Sequence, residues 1–322
     1  MLYYLIAIVS GFGLLVWGSG WLVVGASTVA GKLGVSPFII GLTIVGIGTS
    51  APEIMVSAVA AWQGNPNVSI GNAIGSNIAN IGLVVGLTAL IIPLMVDSTT
   101  LRTEFRLMLA VLFLACALLA DGRLSRMDGI ILIGGFGLLL GWMIYMGLTA
   151  HRTDPMGEEF DETIPSEFTT MSALFRLLIG LVVLIFGSRI VVWGAVNVAQ
   201  SLGVSDLVIG LTIVAVGTSL PELSASIMGA YKKEPDIAIG NIIGSNMFNL
   251  LLVLGLPGVI APSAVPMDAL LYRDLPTLLV LSIALVIVAY GFRKPARINR
   301  WEGAALLTIF CGYQFSLYLS AS

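Results

Sequence analysis

Two glutamates stand where a carboxylate is costly. Glu53 and Glu222 each lie in a long, almost purely apolar run, and each ends the same short motif: Gly48-Thr49-Ser50-Ala51-Pro52-Glu53 and Gly217-Thr218-Ser219-Leu220-Pro221-Glu222. An ionisable side chain at membrane depth marks a site of function rather than of packing. Pro52 has no N–H and its ring crowds the carbonyl four residues back, so it frees the carbonyls of Gly48 and Thr49 for other partners; Pro221 does the same for Gly217 and Thr218. Ser57 and Ser226 follow the glutamates by one turn. Downstream, Asn72, Ser76 and Asn80 recur every fourth residue as a polar stripe on one helix face, and Asn241, Ser245 and Asn249 repeat it.

Carboxylates, hydroxyls, amide oxygens and bare carbonyls make a hard, all-oxygen ligand set. Calcium, which takes about six to eight oxygens at about 2.3–2.6 Å, suits it, as do sodium and other hard ions; zinc and copper, which want His or Cys, do not. The one histidine, His151, lies in a linker, and Cys116 and Cys311 sit in apolar runs without metal or redox spacing. Neither a nucleophile–base pair nor a metal-activated water can be assembled around the glutamates, so the chain reads as a non-enzyme.

The elements that position these residues occur twice. Residues 41–87 and 210–256 align without a gap at a constant offset of 169, and about half the positions are identical. Trp17, Gly18, Ser19, Val23, Gly25 and Ala26 match Phe186, Gly187, Ser188, Val192, Gly194 and Ala195 at the same offset. The first apolar stretch therefore belongs to the repeat and reads as a membrane helix, not a leader. Gly71/Gly75 and Gly240/Gly244 are small-xxx-small pairs that favour close helix approach.

Composition sets the class. Hydrophobic residues make up 57% of the chain, charged residues 10%, and mean hydropathy is +1.01. That is far from the roughly one-quarter charged content of a soluble domain. With about twenty apolar residues per span, ten spans are expected near 2–25, 38–62, 68–92, 105–120, 127–148, 172–197, 207–230, 237–260, 274–291 and 302–319. Five spans separate each repeat from its copy, and an odd number inverts the second. The expected fold is an all-α polytopic membrane protein of two inverted five-helix repeats: residues 1–150, an acidic linker 151–170, and 171–322.

Loops on one side hold Lys32, Arg102, Arg106, Arg152, Arg176, Lys232, Lys233, Arg293, Lys294, Arg297 and Arg300; the other side holds Arg123, Arg126 and Arg273. The positive-inside rule puts the first set in the cytoplasm of a cell membrane and both termini outside. Arg189, inside a helix, reads as snorkelling. Asp121, Asp128, Asp268 and Asp274 fall at span ends and read as solvated. The linker His151–Glu167 carries six acids but lacks the alternation and central glycine of an EF-hand, so it reads as a cytoplasmic tether. No basic cluster suggests nucleic acid, and nothing implies an obligate protein partner; the expected partners are metal ions and lipid.

The paired G-T-S-x-P-E and G-S-N-x-x-N segments resemble the two alpha-repeats of the sodium/calcium exchanger family, within the calcium:cation antiporter superfamily. The resemblance covers the whole chain, which looks like a compact prokaryotic member. It implies calcium held by Glu53 and Glu222 with the carbonyls of Thr49 and Thr218. One sodium site would use Ser50, Ser76 and the Gly46 carbonyl, and its mirror image Ser219, Ser245 and the Ala215 carbonyl. Asn80 and Asn249 would sit at the centre. Some exchangers carry aspartate at the position of Asn249, so asparagine at both centres leaves sodium and proton coupling both open.

Blander readings exist: proline kinks with nearby serines serve packing in many membrane helices, and the asparagine stripes could be interhelical glue. Two inverted copies, each with a glutamate, argue against packing alone. A channel would need a continuous pore, and no selectivity filter is legible. The expectation is a cation antiporter exchanging sodium for calcium by alternating access, with proton-coupled divalent antiport as the alternative and a cation channel the weakest reading. The transported ions are cargo, and no cofactor is expected.

Overall fold

The computed structural model describes residues 1–96, 101–150, 169–204, 209–265, 267–290 and 297–321. The tether His151–Glu167, with Arg152, Arg293 and Lys294, lies outside them. Ten helical segments follow in order: α1 (Leu2–Leu33), α2 in two halves (Pro37–Thr49 and Ala51–Trp62), α3 (Pro66–Ile91), α4 (Leu101–Leu119) and α5 (Arg126–Ala150). The second set is α6 (Thr170–Ser201), α7 in two halves (Thr212–Thr218 and Leu220–Tyr231), α8 (Pro235–Ile260), α9 (Met267–Tyr290) and α10 (Arg300–Ala321). Nine of these are long and apolar enough to cross a membrane, counting each bent pair as one. The tenth, α4, is 19 residues long and carries Arg102, Glu104 and Arg106 at its start.

α1 and α6 each run to 32 residues, past the expected ends at 25 and 197. At 1.5 Å per residue each is about 48 Å long, more than a bilayer's hydrocarbon core requires. α1 stops at Gly34, whose left-handed φ of 61° lets its N–H close on the carbonyls of Ala30 and Gly31.

Two short antiparallel ladders connect the repeats. β1 (Leu94–Met95), after α3, pairs with β4 (Arg297–Ile298), before α10; β2 (Arg123–Leu124), after α4, pairs with β3 (Ser263–Ala264), after α8. Each ladder joins one repeat to the other. β1 lies three spans from the N-terminus and β4 nine, so both are on one face; β2 lies four spans along and β3 eight, so both are on the opposite face. With α4 counted as a span, odd pairs with odd and even with even, as any ladder at a membrane face must.

α8 and α3 form the centre, 94% and 72% buried over their spans, while α5 and α10 are 22% buried and face outward. Beside this centre α1 and α6 pack antiparallel on glycines seven apart. Cβ atoms added at Gly18 and Gly180 would fall on each other's helix backbone, Gly18 3.0 Å from the Gly180 carbonyl and Gly180 2.4 Å from Leu22 N. Gly11 faces Gly187 and Val191 in the same way, and Gly25 faces Ala173 and Leu177. Gly240 and Gly244 of α8 admit the α2 backbone at Phe38 and Leu42, as expected of a small-xxx-small pair. Nothing described stands within 4 Å of a Cβ at Gly71 or Gly75; the positions equivalent to Phe38 and Leu42 are 207, outside the described residues, and 211, whose side chain is not described.

Among the described residues the two-fold symmetry is broken where α1 meets α7. α1 packs along the second half of α7, where Ala225 is fully buried. The equivalent face of α2 is uncovered, with Met55, Val56 and Val59 exposed at 53, 37 and 51%. Arg189 of α6 reaches across to it, its guanidinium 3.6 Å from the Met55 sulfur.

One expectation is corrected. Asp274 is only partly solvated, its side chain 17% exposed: it pairs with Arg273 at 2.7 Å and accepts a hydrogen bond from the Tyr313 hydroxyl at 3.2 Å. The π-helical turn at Leu270–Asp274 places this pair against α10. Asp128 instead serves α5, accepting the Ser125 N–H at 2.7 Å as Ser125 accepts its own, a reciprocal cap.

Candidate functional site

The prolines act as their sequence context predicts. α2 bends by 42° at Ser50 and α7 by 49° at Ser219, with Pro52 and Pro221 in the first turn of each second half. Early proline is tolerated there because its missing N–H would have no partner in the new helix. Each glutamate is thereby set in a first helical turn at the break, and both are 1% exposed.

The two repeats meet at the breaks. Ser50 donates to Glu222 Oε1 at 3.2 Å. Thr49 donates to Asn241 Oδ1 at 2.9 Å, and Ser245 to the Gly46 carbonyl at 3.4 Å. The two breaks therefore face each other across the pseudo-two-fold axis.

Behind them lies a supporting layer. Asn72 Nδ2 donates to the Glu53 carbonyl at 3.0 Å and to Ser57 Oγ at 3.1 Å; Asn241 Nδ2 does the same to the Glu222 carbonyl at 3.4 Å and Ser226 Oγ at 3.3 Å. Ser69 donates to the Ser57 carbonyl at 2.7 Å. So Ser57, Ser226, Asn72 and Asn241 tie α2 to α3 and α7 to α8, holding the glutamate-bearing turns by their backbones. Their signal was present in the four-residue stripe, but the stripe does not tell its first member from its last.

Asn80 and Asn249 differ in kind. Each opens a π-helical turn, Asn80–Val85 in α3 and Asn249–Val253 in α8. Such one-residue widenings are frequent at functional sites. Both asparagines are 1% exposed, and neither the oxygen nor the nitrogen of either amide has a hydrogen-bond partner. Glu53 Oε2, Glu222 Oε2 and Ser219 Oγ are likewise buried and unpartnered. Ser76 is 4% exposed and Ser245 fully buried, on the same helices one turn before the asparagines.

Buried polar atoms in folded proteins are nearly always paired. Here seven side chains with orphaned atoms, the five above and Asn77 and Asn246 through their Oδ1 atoms, come from the two copies of one motif. Inverted five-helix repeats, two broken helices and a buried oxygen-rich centre define a secondary antiporter, a carrier that works by alternating access. A profile described as sodium/calcium exchanger protein matches residues 3–145 and 172–319, and the chain belongs to that family. It is 48% identical over 320 residues to the putative antiporter CaxA of Alkalimonas amylolytica, covering 99% of this chain and all of that one. It is 33% identical to the sodium/calcium exchanger MaX1 of Methanosarcina acetivorans, over 96% of each. A solved structure of the sodium-calcium exchanger NCX_Mj superposes with a TM-score of 0.83 at 33% identity, covering 98% of this chain and 99% of that one.

Proposed function

We propose that the chain exchanges sodium for calcium, binding both ions among the motif residues. The observation that carries this reading is the set of buried, unpartnered oxygens on Glu53, Glu222, Asn80, Asn249 and Ser219. Left so, they carry a desolvation cost that a bound cation removes. Glu53 and Glu222 hold calcium with the Thr49 and Thr218 carbonyls. The contact of Ser245 with the Gly46 carbonyl favours regrouping the sodium ligands that the resemblance implies: Ser50, Ser245 and the Gly46 carbonyl hold one sodium, and Ser219, Ser76 and the Ala215 carbonyl its mirror image. Asn80 and Asn249 line the middle as neutral ligands. Two carboxylates match the charge of one calcium, whereas three sodium ions would leave one excess positive charge and make exchange sensitive to membrane potential.

The lysine- and arginine-rich loops support a cytoplasmic α7–α8 turn, with both termini outside an inner membrane. Repeat boundaries at 1–150 and 171–322 follow from the offset, with 151–170 a tether. Its partners are metal ions and lipid, with no cofactor or nucleic acid and no obligate protein partner implied.

Calcium-45 uptake into vesicles of purified protein tests this. An imposed sodium gradient should drive uptake that saturates, and a pH gradient should not. Uptake driven by protons alone would replace sodium coupling by proton-coupled antiport. Non-saturating flux without a counter-ion would mean a channel.

A further inference from the structure

The two ends of the molecule have the same backbone and different chemistry. At the α7–α8 turn Glu234 has φ −113° and ψ 59°, and at the α2–α3 turn the equivalent Asn65 has φ −114° and ψ 58°. The N–H of each closes on a carbonyl five residues back at 2.8 Å, Glu234 on Gly229 and Asn65 on Ala60. What differs is the side chain and what it meets. Glu234 Oε1 accepts a hydrogen bond of 2.5 Å from Ser27 of α1. At the other end the residues at these positions are Asn65 and, in α6, Val196, which has no hydroxyl to give.

This contact sits where the symmetry is broken. Ser27 lies on α1 beside Ala26 and Thr28, both buried, on the helix that covers the second half of α7 while the equivalent face of α2 stays uncovered. We propose that the Ser27–Glu234 hydrogen bond is a one-sided latch that holds the exchanger closed at the α7–α8 end and has no counterpart at the α2–α3 end. In the mirrored conformation α6 would close on α2, bringing Val196 to Asn65, and no such bond would form.

The latch therefore biases the conformational equilibrium without touching the ions. Burial raises the Glu234 carboxyl and Asp236, two residues on, adds to the rise; the Ser27 hydroxyl opposes both by donating to the ionised form. Lys232 and Lys233 share the turn, and Lys32 closes α1. A hydrogen bond to a charged group is strong enough to shift a two-state equilibrium by about tenfold. Because only the open state at a given face binds from that face, apparent affinity there scales with that state's population.

The inference rests on alternating access at the proposed site, not on which ion is the counter-ion, so its test uses calcium–calcium exchange in vesicles of known orientation. Apparent calcium affinity is measured separately from each face for the parent, Ser27→Ala, Glu234→Ala, the double variant and Ser27→Thr. Ser27→Ala and Glu234→Ala should each raise affinity at the α7–α8 face relative to the other face by about tenfold. The double variant should go no further, and Ser27→Thr, which keeps the hydroxyl, should resemble the parent. Installing the missing bond with Val196→Ser and Asn65→Glu together should shift the ratio in the same direction as the deletions. Unchanged ratios, additive effects in the double variant, or a parallel loss at both faces would overturn the latch. Absence of calcium exchange in the parent would instead overturn the proposed function.

Discussion

Gly25→Ala is the sharpest perturbation of the α1–α6 seam. A Cβ there would lie 2.5 Å from Leu177 N and 2.8 Å from both Leu177 Cα and the Ala173 carbonyl. All three are backbone atoms, so no rotamer change relieves the clash. Restoring ordinary contact at 3.4 Å requires the helices to part by about 1 Å, and overpacking of this kind costs about 1–3 kcal/mol. Gly13→Ala is the control: it lies in the same helix, with nothing within 4 Å of the new methyl. Both variants gain about 1 kcal/mol of helix propensity, so their difference isolates the clash. Thermal unfolding in detergent, followed by tryptophan fluorescence, should rank Gly13→Ala at or above the parent and Gly25→Ala clearly below Gly13→Ala. If Gly25→Ala were as stable as Gly13→Ala, the close backbone approach of α1 and α6 would be wrong.

Glu53→Gln and Glu222→Gln should each abolish calcium flux while leaving a monodisperse protein; near-normal flux in either would remove that residue from the site. Protons compete with calcium for the same two carboxylates, so apparent calcium affinity should fall on acidification, and an affinity flat from mildly acidic to alkaline pH would contradict shared ligation. Asn249→Asp places a third carboxylate near the first two and should add a step to the profile of exchange rate against pH, at clamped potential, that the parent lacks; superimposable profiles would take Asn249 out of the centre.

The architecture was legible because it is written twice. An offset that never drifts over 47 residues, with an odd number of spans between copies, leaves inversion as the one arrangement. The breaks at Ser50 and Ser219 were equally legible, since proline leaves a local chemical signature. What the sequence withheld depends on the other copy. Nothing near Ser50 announces that its hydroxyl will meet Glu222, or near Thr49 that it will meet Asn241, because those contacts arise only when the repeats dock. The π-helical turns at Asn80 and Asn249 also leave no mark, as an extra residue in a turn changes hydrogen bonding without demanding a residue type. The division of each stripe into a bracing asparagine (Asn72, Asn241) and an unpartnered one (Asn80, Asn249) is likewise tertiary. The broken symmetry is the least legible of all, since a repeat offers the same face twice and only the packed chain chooses which to cover.

The two β-ladders carry an implication for how such a chain can arise. Each joins a loop of the first repeat to a loop of the second, and the pseudo-two-fold axis exchanges them. Cut the tether, and the same hydrogen bonds become contacts between two separate five-helix chains lying in opposite directions in one bilayer. If both halves had one sequence, the contact would be that of a self-complementary dimer, in which residue i meets residue j and j meets i. The fold is thus that of an antiparallel homodimer whose subunits have been fused and allowed to diverge. Fusion is what permits a serine and a glutamate at one end to face a valine and an asparagine at the other, a difference no pair of identical subunits could encode.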